Sequence, residues 1–270
     1  MNSWFNRFAQ AVSRNRAFRA IALRARNAKQ GRALALMGNL NAFERRVLSQ
    51  NGEDGIIGEL FARIPNSRFF VEIGVEDGEQ CNTALLARYY GWKGLMVEAD
   101  AAMFRHLQAR YRPLPVDVLN LLVTRENIAQ ALESFNVPKA LDLLCIDIDG
   151  NDYYVWEALG AYRPSVVVIE YNASFGSAAS KTVAYDPQFV WDRTRSYGAS
   201  ITALAKLGHR LGSALVGADC RGINAFFVRR DLLGSAAFLK SRLVKPGGGT
   251  CLSGCSRRVP VASLRFEAIA

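Results

Sequence analysis

Long apolar runs are absent from this sequence, and cysteine and histidine are scarce. No apolar run approaches the roughly 20 residues that a membrane-spanning helix needs, so we expect a soluble or peripheral protein. The five cysteines are odd in number and scattered, which favours reduced thiols in a cytoplasmic protein over a disulfide framework. Cys251 and Cys255 form a C-x3-C pair, but no further Cys or His follows nearby to complete a tetrahedral zinc site.

Acidic residues are absent before Glu44, although the whole chain has a formal net charge of +10. Residues 1–43 carry the basic side chains Arg7, Arg14, Arg16, Arg19, Arg24, Arg26, Lys29 and Arg32. Apolar residues recur beside them at helical spacing, namely Trp4, Phe5, Phe8 and Val12. Residues 1–45 are therefore predicted to be a basic helical extension. It either lies on an anionic membrane surface or docks on the protein by its apolar side, and a specific nucleic-acid partner is not expected.

Short β-rich runs alternate with helical stretches over residues 46–235, and half of the chain is apolar, enough for one α/β domain. Residues 236–270 are predicted to be a C-terminal tail. The predicted strands are Phe69–Ile73, Gly94–Val97, a part of 116–123, Leu141–Ile148, Ser165–Ile169, Ala214–Gly217 and Ala225–Arg229. The predicted helices are Ile56–Ile64, Asn82–Tyr90, Ala101–Tyr111, Arg125–Phe135 with Thr124 as its cap, Asp152–Leu159 and Ile201–Leu207.

The pattern of these strands predicts how they pair. The continuous apolar run Leu143–Ile146 is typical of a central parallel strand that is buried on both faces. The last two strands are joined by a link, residues 218–224, that is too short for a parallel crossover. The sequence therefore predicts a mostly parallel α/β sheet that ends in an antiparallel hairpin.

The first predicted strand ends in an acidic residue and two glycines four positions apart, Glu72, Gly74 and Gly78. Glycines at a strand-to-helix turn let a ligand approach the backbone, at the edge where open α/β sheets bind ligands. Dinucleotide enzymes usually have G-x-G-x-x-G there, but Glu76 stands in place of the middle glycine. A carboxylate would repel a pyrophosphate and would suit a ligand with an ammonium and a sulfonium group.

A second acidic residue, Glu98, ends the second predicted strand about twenty residues after the glycines. This is the place at which a ribose diol is usually held. Either signal alone is also met in solvated or helix-capping carboxylates. The two together, in this order and spacing, indicate a nucleoside-containing ligand.

Several segments together resemble the FkbM-type methyltransferases over roughly residues 46–230. They are the run from Ser49 to Asp54, the glycine loop, residues 124–128, and Ile146-Asp147-Ile148-Asp149-Gly150. The resemblance implies a Rossmann-like class I methyltransferase fold with S-adenosylmethionine as cofactor. It also implies that Glu72, Gly74 and Gly78 bind the amino-acid end of the cofactor and that Glu98 binds its ribose. We expect the same pocket to include Glu76, Asn82, Thr83 and Asp147.

Polar side chains that follow the next two strands predict the acceptor side of the site. The candidates are Asp147, Asp149, Asp152, Glu170 and Asn172. Such a group either binds Mg²⁺ or orients an acceptor hydroxyl and takes its proton. Asp149, Asp152, Glu170 and Asn172 are the candidate catalytic residues, although Asp149 and Asp152 are also placed to cap the following helix. The family commonly has D-x-E-G where this chain has Asp147-Ile148-Asp149-Gly150.

The segment 171–200 lacks regular periodicity and is predicted to be a lid over the acceptor. Its aromatic residues either stack on a sugar or another flat acceptor, or attach the segment to the core. They are Tyr171, Phe175, Tyr185, Trp191 and Tyr197. The resemblance implies O-methylation of a hydroxyl on a glycan or secondary metabolite.

Two other functions are weighed against methyl transfer. Asp147-x-Asp149 is similar to the nucleophile motif of Mg²⁺-dependent phosphohydrolases of the haloacid-dehalogenase type, although that motif normally follows the first strand. The other alternative is a non-catalytic module that has a methyltransferase fold and binds a partner through its basic extension.

Overall fold

A seven-stranded sheet organises residues 40–233, which are the residues that the computed structural model of this chain describes. The strands are β1 Phe69–Ile73, β2 Lys93–Glu98, β3 Val116–Asn120, β4 Leu143–Ile146, β5 Val166–Glu170, β6 Ser213–Ala218 and β7 Asn224–Arg229. Their spatial order is β3-β2-β1-β4-β5-β7-β6. Strands β1 to β5 are parallel, and β7 runs antiparallel to both β5 and β6. The predicted sheet, mostly parallel with an antiparallel hairpin at its end, is confirmed.

Within residues 40–233, six α-helices cover the two faces of the sheet. They are α1 Glu53–Phe61, α2 Ala84–Tyr90, α3 Ala101–Tyr111, α4 Ile128–Ser134, α5 Asp152–Ala158 and α6 Ile201–Arg210. Short 3₁₀ helices span Leu40–Phe43, Ala173–Phe175 and Arg230–Leu232. Apolar side chains of α1, α2 and α3 form one core layer, and those of α4, α5 and α6 form the other. The central strands are therefore buried on both faces, as their apolar runs predict.

The strand order leaves a crevice at one edge of the sheet. From β1 the chain builds outward to β2 and β3, and it then returns to place β4 on the other side of β1. The connections that leave β1 and β4 thus run in opposite directions, and open α/β sheets bind their ligands at such a point. The functional residues predicted at strand ends all belong to this edge.

Three helix starts differ from the prediction, and the smallest difference is in α2, which begins at Ala84 rather than at Asn82. Helix α1 begins at Glu53 rather than at Ile56, because Gly52 in the left-handed region (φ 104°) turns the chain and two acidic residues fill the first turn. Helix α4 begins at Ile128 rather than at Arg125. Thr124 and Asn127 hydrogen-bond each other reciprocally, at 2.8 and 3.3 Å, and so close a turn before the helix.

The first described residues pack onto the terminal hairpin. Leu40 is buried, and a side chain at Gly217 of β6 would lie 2.8 Å from it. Asn41 donates a hydrogen bond to the Ala218 carbonyl, and Glu44 accepts one from the backbone of Cys220, both at 2.8 Å. The short stretch 40–44 is thus attached to the sheet. The predicted extension up to residue 39, the tail 236–270 and the Cys251–Cys255 pair lie outside the described residues.

Within residues 40–233, no helix is both long enough and apolar enough to cross a membrane.

The core contact between α5 and the sheet generates a stability prediction. Trp156 is 2% exposed and packs edge-on against Phe227, with ring centroids 4.8 Å apart. We expect Trp156→Ala to lower the free energy of unfolding by about 3–5 kcal/mol, because it leaves a large cavity. Urea denaturation of the full chain measures this loss. Trp191→Ala is the matched control, since Trp191 is 40% exposed, and an equal loss in both variants would contradict the packing described here.

Candidate active site

A cleft of about 870 Å³ opens at the carboxyl ends of β1, β2, β4 and β5. Eight of the residues predicted from the sequence line it: Glu72, Gly74, Glu76, Asn82, Glu98, Asp147, Asp149 and Glu170. The four other predicted residues are Gly78, Thr83, Asp152 and Asn172. They lie behind the cleft wall, where they hold the loops that form it.

A glycine is needed at position 74 because the ends of β1 and β4 approach each other closely there. It has a positive φ of 81°, and its amide donates to the Val97 carbonyl at 2.9 Å. A side chain there would lie 1.7 Å from the Asp147 carbonyl oxygen. The glycine therefore lets the loop after β1 pass directly over the loop after β4.

Gly78 was predicted to bind the cofactor, but the structure turns it away from the cleft. A side chain at this position would lie 2.5 Å from Tyr111 and 2.6 Å from Leu107 of α3. The Tyr111 hydroxyl also donates to the Gly78 carbonyl at 2.8 Å. Gly78 thus allows the glycine loop to pack on α3, which a side chain would prevent.

Glu72 is a buried anchor for the start of α2. Its carboxylate accepts hydrogen bonds from the backbone amides of Asn82 and Thr83, at 2.7 and 2.9 Å, and from the Thr83 hydroxyl. Burial raises the pKa of Glu72, and these hydrogen bonds oppose that rise. Thr83 faces the interior for this reason, while Asn82 lies at the cleft. Glu72 is positioned to support the ligand-facing loop more than to contact a ligand itself.

Glu98 is held in a fixed orientation at the end of β2. One carboxylate oxygen accepts from the Glu76 amide and the other from the Asp100 amide, both at 2.7 Å. A carboxylate has about four acceptor positions, so each oxygen can still accept from a ligand hydroxyl. Asp100 in turn caps α3 through the amides of Ala102 and Met103.

The run Ser49–Asp54 brings further polar residues to the cleft. Asp54 accepts hydrogen bonds from the amides of residues 47, 48 and 49, and Ser49 accepts one from the Asp54 amide. This closed loop places Gln50, Asn51 and Glu53 in the cleft wall.

Glu53 and Asn224 were not singled out from the sequence, yet they meet in the cleft wall. Glu53 accepts from the Asn51 amide at 2.7 Å and from the Asn224 side-chain amide at 2.9 Å. The sequence pointed to Glu53 only indirectly, because Glu53 lies in the turn-rich run that contributes to the family resemblance. Asn224 had no signal, because its position depends on β7 pairing with β5.

Three carboxylates converge between β4 and β5. Oxygens of Asp147, Asp149 and Glu170 all lie within 4.8 Å of one another. Burial, and then the charges of the neighbouring aspartates, raise the pKa of Glu170 to about 11, and the same causes raise the pKa of Asp147. Asp149 adopts a positive φ of 57°, which turns the loop beneath it.

Asp152 was a predicted catalytic residue, but it is fully buried outside the cleft. It accepts hydrogen bonds from the amides of Ile148 and Gly150, both at 2.9 Å. Burial raises its pKa to about 6 even though these bonds lower it. Asp152 therefore shapes the loop that carries Asp147 and Asp149.

Asn172 was also predicted to be catalytic, and it too organises a loop. Its side-chain amide donates to the carbonyls of Arg195 and Tyr197, at 2.8 and 2.9 Å, and its oxygen accepts from Ser174. Asn172 is 1% exposed and does not line the cleft. The two ends of the lid are thereby joined.

The lid presents aromatic side chains to the cleft, but not all of the predicted ones. Trp191 and Tyr197 line the cleft, and their ring centroids are 5.7 Å apart. Phe189, which the sequence did not single out, lines it as well. Tyr171 is buried, and Tyr185 packs under the Arg125 guanidinium and hydrogen-bonds Glu126. Phe175 stacks with Lys181 away from the cleft. Tyr171, Tyr185 and Phe175 thus attach the segment to the protein, whereas Trp191 and Tyr197 are exposed to the cleft, and their predicted stacking on an acceptor stays a prediction.

The charge of the cleft is strongly one-sided. Its carboxylates are Glu53, Glu72, Glu76, Glu98, Asp100, Asp147, Asp149 and Glu170. No Lys, Arg or His is among the described residues that line it. A phosphate or pyrophosphate would find no counter-charge from these side chains, so a phosphohydrolase at Asp147 and Asp149 would depend entirely on a bound cation.

No protein-family model and no curated protein matches this chain. The solved structures similar in fold include S-adenosylmethionine-dependent methyltransferases. The N-terminal domain of EvdMO1, with SAH and D-fucose, is 12% identical with a TM-score of 0.45 and covers 79% of this chain and 96% of its own. A TehB-like methyltransferase from Corynebacterium glutamicum is 15% identical with a TM-score of 0.40. The match covers 77% of the present chain and 98% of the methyltransferase.

The O-methyltransferase TomG from Streptomyces achromogenes, in complex with SAM, is 18% identical with a TM-score of 0.41 and covers 74% and 89%. Identities and TM-scores this low do not indicate which residues act in the present chain.

The role of Asn172 in the lid generates a second prediction. Removing its side-chain amide frees the Arg195 and Tyr197 carbonyls, so we expect Asn172→Ala to speed tryptic cleavage after Arg193 and Arg195 several-fold in the native protein. Limited proteolysis with mass spectrometry measures the rate. Asn66→Ala is the matched control, because Asn66 also donates to two carbonyls but lies outside the lid. Unchanged cleavage in Asn172→Ala would contradict the assigned role.

Proposed function

We propose that this protein is an S-adenosylmethionine-dependent methyltransferase that methylates a hydroxyl group of an uncharged acceptor. The observation that carries the proposal is the acidic cleft at the switch point of the sheet, with Glu98 held by two backbone amides at the end of β2. The resemblance of residues 46–230 to FkbM-type methyltransferases supports the same function. Membership of that family is part of the proposal.

The charge of the cleft suits this cofactor. S-adenosylmethionine carries a sulfonium, an ammonium and a carboxylate, so its net charge is positive near neutral pH. Eight carboxylates without a described cation favour such a ligand and oppose one with a pyrophosphate. Glu76 contributes to this selection because its side chain is exposed beside the glycine loop.

The arrangement of polar and apolar walls supports one orientation of the cofactor. The free acceptor positions of Glu98 would take the ribose hydroxyls. Leu121, Leu122 and Val123 follow β3 and form an apolar wall, and the Leu121 amide donates to the Glu98 carbonyl at 3.0 Å. Because the adenine is attached to the ribose, this wall next to Glu98 would hold it. The sulfonium would then point toward Gly74 and Asp147.

The acceptor would lie between the lid aromatics and the acidic group at the ends of β4 and β5. Phe189, Trp191 and Tyr197 offer flat surfaces, as carbohydrate and other ring-containing acceptors require. During transfer the hydroxyl oxygen bonds the methyl carbon, the sulfur–carbon bond breaks, and the hydroxyl proton passes to a carboxylate of the acidic group. Positioning supplies much of the acceleration of such an in-line displacement. This transfer does not require a metal ion, so the proposed function does not depend on whether Mg²⁺ binds.

Calorimetric titration of the full chain tests the cofactor assignment. We expect saturable binding of S-adenosylmethionine, weaker binding of S-adenosylhomocysteine, which lacks the sulfonium and has no net charge, and no binding of NAD⁺. Glu98→Ala should weaken both binders at least about tenfold, which corresponds to about 1.4 kcal/mol. The loss follows because the acceptor positions for the ribose hydroxyls are removed.

Glu79→Ala is the control for this titration, because Glu79 is an exposed carboxylate of the same loop that does not line the cleft. Gly74→Val is unsuitable, since a side chain there collides with the Asp147 carbonyl. Absence of binding to well-folded wild-type protein would refute the proposed function.

A further inference from the structure

The buried carboxylates of this protein fall into two groups that differ in how they are compensated. Among the described residues, those in the first group each accept two or more hydrogen bonds from backbone or side-chain donors; they are Glu53, Asp54, Glu59, Glu72, Glu98, Asp142, Asp152 and Asp219. The second group consists of the buried Glu170 together with the partly exposed Asp147 and Asp149 beside it. Among the described residues, these three accept no side-chain hydrogen bond and form no ion pair. Their negative charge is left without local compensation.

Glu170 shows this most clearly. It is 8% exposed, it lines the cleft, and its Oε2 is buried without a hydrogen-bond partner among the described residues. An uncompensated buried carboxylate oxygen is costly, so such an oxygen usually faces a ligand, a proton or a cation.

A second unpartnered oxygen lies on the neighbouring strand. Asn224 of β7 is the direct register partner of Glu170 of β5, so the two side chains share a face of the sheet. The Asn224 side-chain nitrogen is used by Glu53, but its Oδ1 is buried without a partner within the described chain. Two oxygens on adjacent strands thus lack a donor at the same place.

We propose that Asp147, Asp149 and Glu170 bind a divalent cation of the Mg²⁺ type in the floor of the cleft, with Asn224 at its margin. Oxygen ligands that are about 2.1 Å from Mg²⁺ lie about 3 to 4 Å from one another. The oxygens of this group all lie within 4.8 Å of one another, so small side-chain movements would bring them to that spacing. Three protein oxygens leave coordination positions for water or for the acceptor hydroxyl. Asp152 and Asn172, which the sequence placed in the same group, are excluded because the backbone of the adjoining loops already uses their oxygens.

A cation explains this cluster better than an acceptor hydroxyl alone. A hydroxyl can donate one hydrogen bond, but it brings no charge to three carboxylates whose oxygens lie within 4.8 Å. The remaining solution is a proton on Glu170, which the raised pKa of that group allows. If a cation is the compensation, added metal binds at this group; if a proton on Glu170 is the compensation, added metal does not bind there. The site itself does not depend on the cofactor, whereas any contact of the ion with an acceptor rests on the proposed function.

Electron paramagnetic resonance of Mn²⁺ added to the full chain, without cofactor, tests the site directly. We expect one equivalent of bound Mn²⁺ that excess Mg²⁺ displaces. Glu170→Gln and Asp149→Asn should each weaken this binding at least about tenfold. Asp117→Asn is the matched control, because it makes the same change in an exposed side chain of β3 and should bind as the wild type does.

Thermal unfolding provides a second readout that does not require a loss of folding. Mg²⁺ should raise the melting temperature of the wild type above that in Na⁺ of equal ionic strength, and Glu170→Gln should abolish the increase while melting no lower than the metal-free wild type. Equal Mn²⁺ binding in all variants, or no binding to the wild type, would overturn the proposal and assign a proton to Glu170. Because neither experiment contains S-adenosylmethionine, a negative result leaves the proposed cofactor unaffected.

Discussion

The concentration of negative charge at one edge of the sheet is the constraint on which the site depends. Parallel strands end together, so an acidic residue at the end of each of β1, β2, β4 and β5 brings the carboxylates into one crevice. Most proteins would offset such a group with Lys or Arg, but the described cleft has neither. The compensation has to come from what binds there. The proposed cationic cofactor and the proposed divalent ion would meet this requirement at two different parts of the same cleft.

Backbone amides decide which carboxylates face a ligand and which support a loop. The oxygens of Glu72 and Asp152 accept hydrogen bonds from the loops that these residues hold. Asp152 therefore lies outside the cleft, and Glu72, in the cleft wall, supports the start of α2. Glu98 is intermediate, because each oxygen accepts one amide and keeps room for a ligand. Glu170 accepts nothing from the described residues. The more hydrogen bonds a carboxylate accepts from the protein, the fewer acceptor positions it has left for a ligand.

Local sequence patterns predicted the sheet well, because the strands that decide its class are short apolar runs with turn residues at both ends. The run Val166–Ile169 and the short link before β7 are sufficient for a parallel sheet with an antiparallel end. The position of the site was predictable for the same reason, since Glu98 and Asp147 follow such runs directly. The starts of α1 and α4 were not predictable from the sequence, because they depend on the φ of Gly52 and on a turn closed by Thr124 and Asn127.

The role of each polar residue was harder to predict than its position. Asn172 and Asp152 have the residue types and spacing of catalytic groups, yet their partners are carbonyls and amides of loops whose course no local pattern specifies. Asn224 had no signal at all, because it reaches the cleft only through the pairing of β7 with β5. Hydrogen-bond saturation is a property of the folded chain, so sequence spacing alone could not separate these residues from Glu170.

A crystal structure of the full chain grown with S-adenosylhomocysteine and Mn²⁺ tests the central claim most directly. The account predicts ribose hydroxyls within hydrogen-bond distance of both Glu98 oxygens, the adenine against Leu121–Val123, and an anomalous peak between Asp147, Asp149 and Glu170. A cofactor bound outside this cleft, or a cleft that holds neither cofactor nor ion at saturating concentrations, would contradict it.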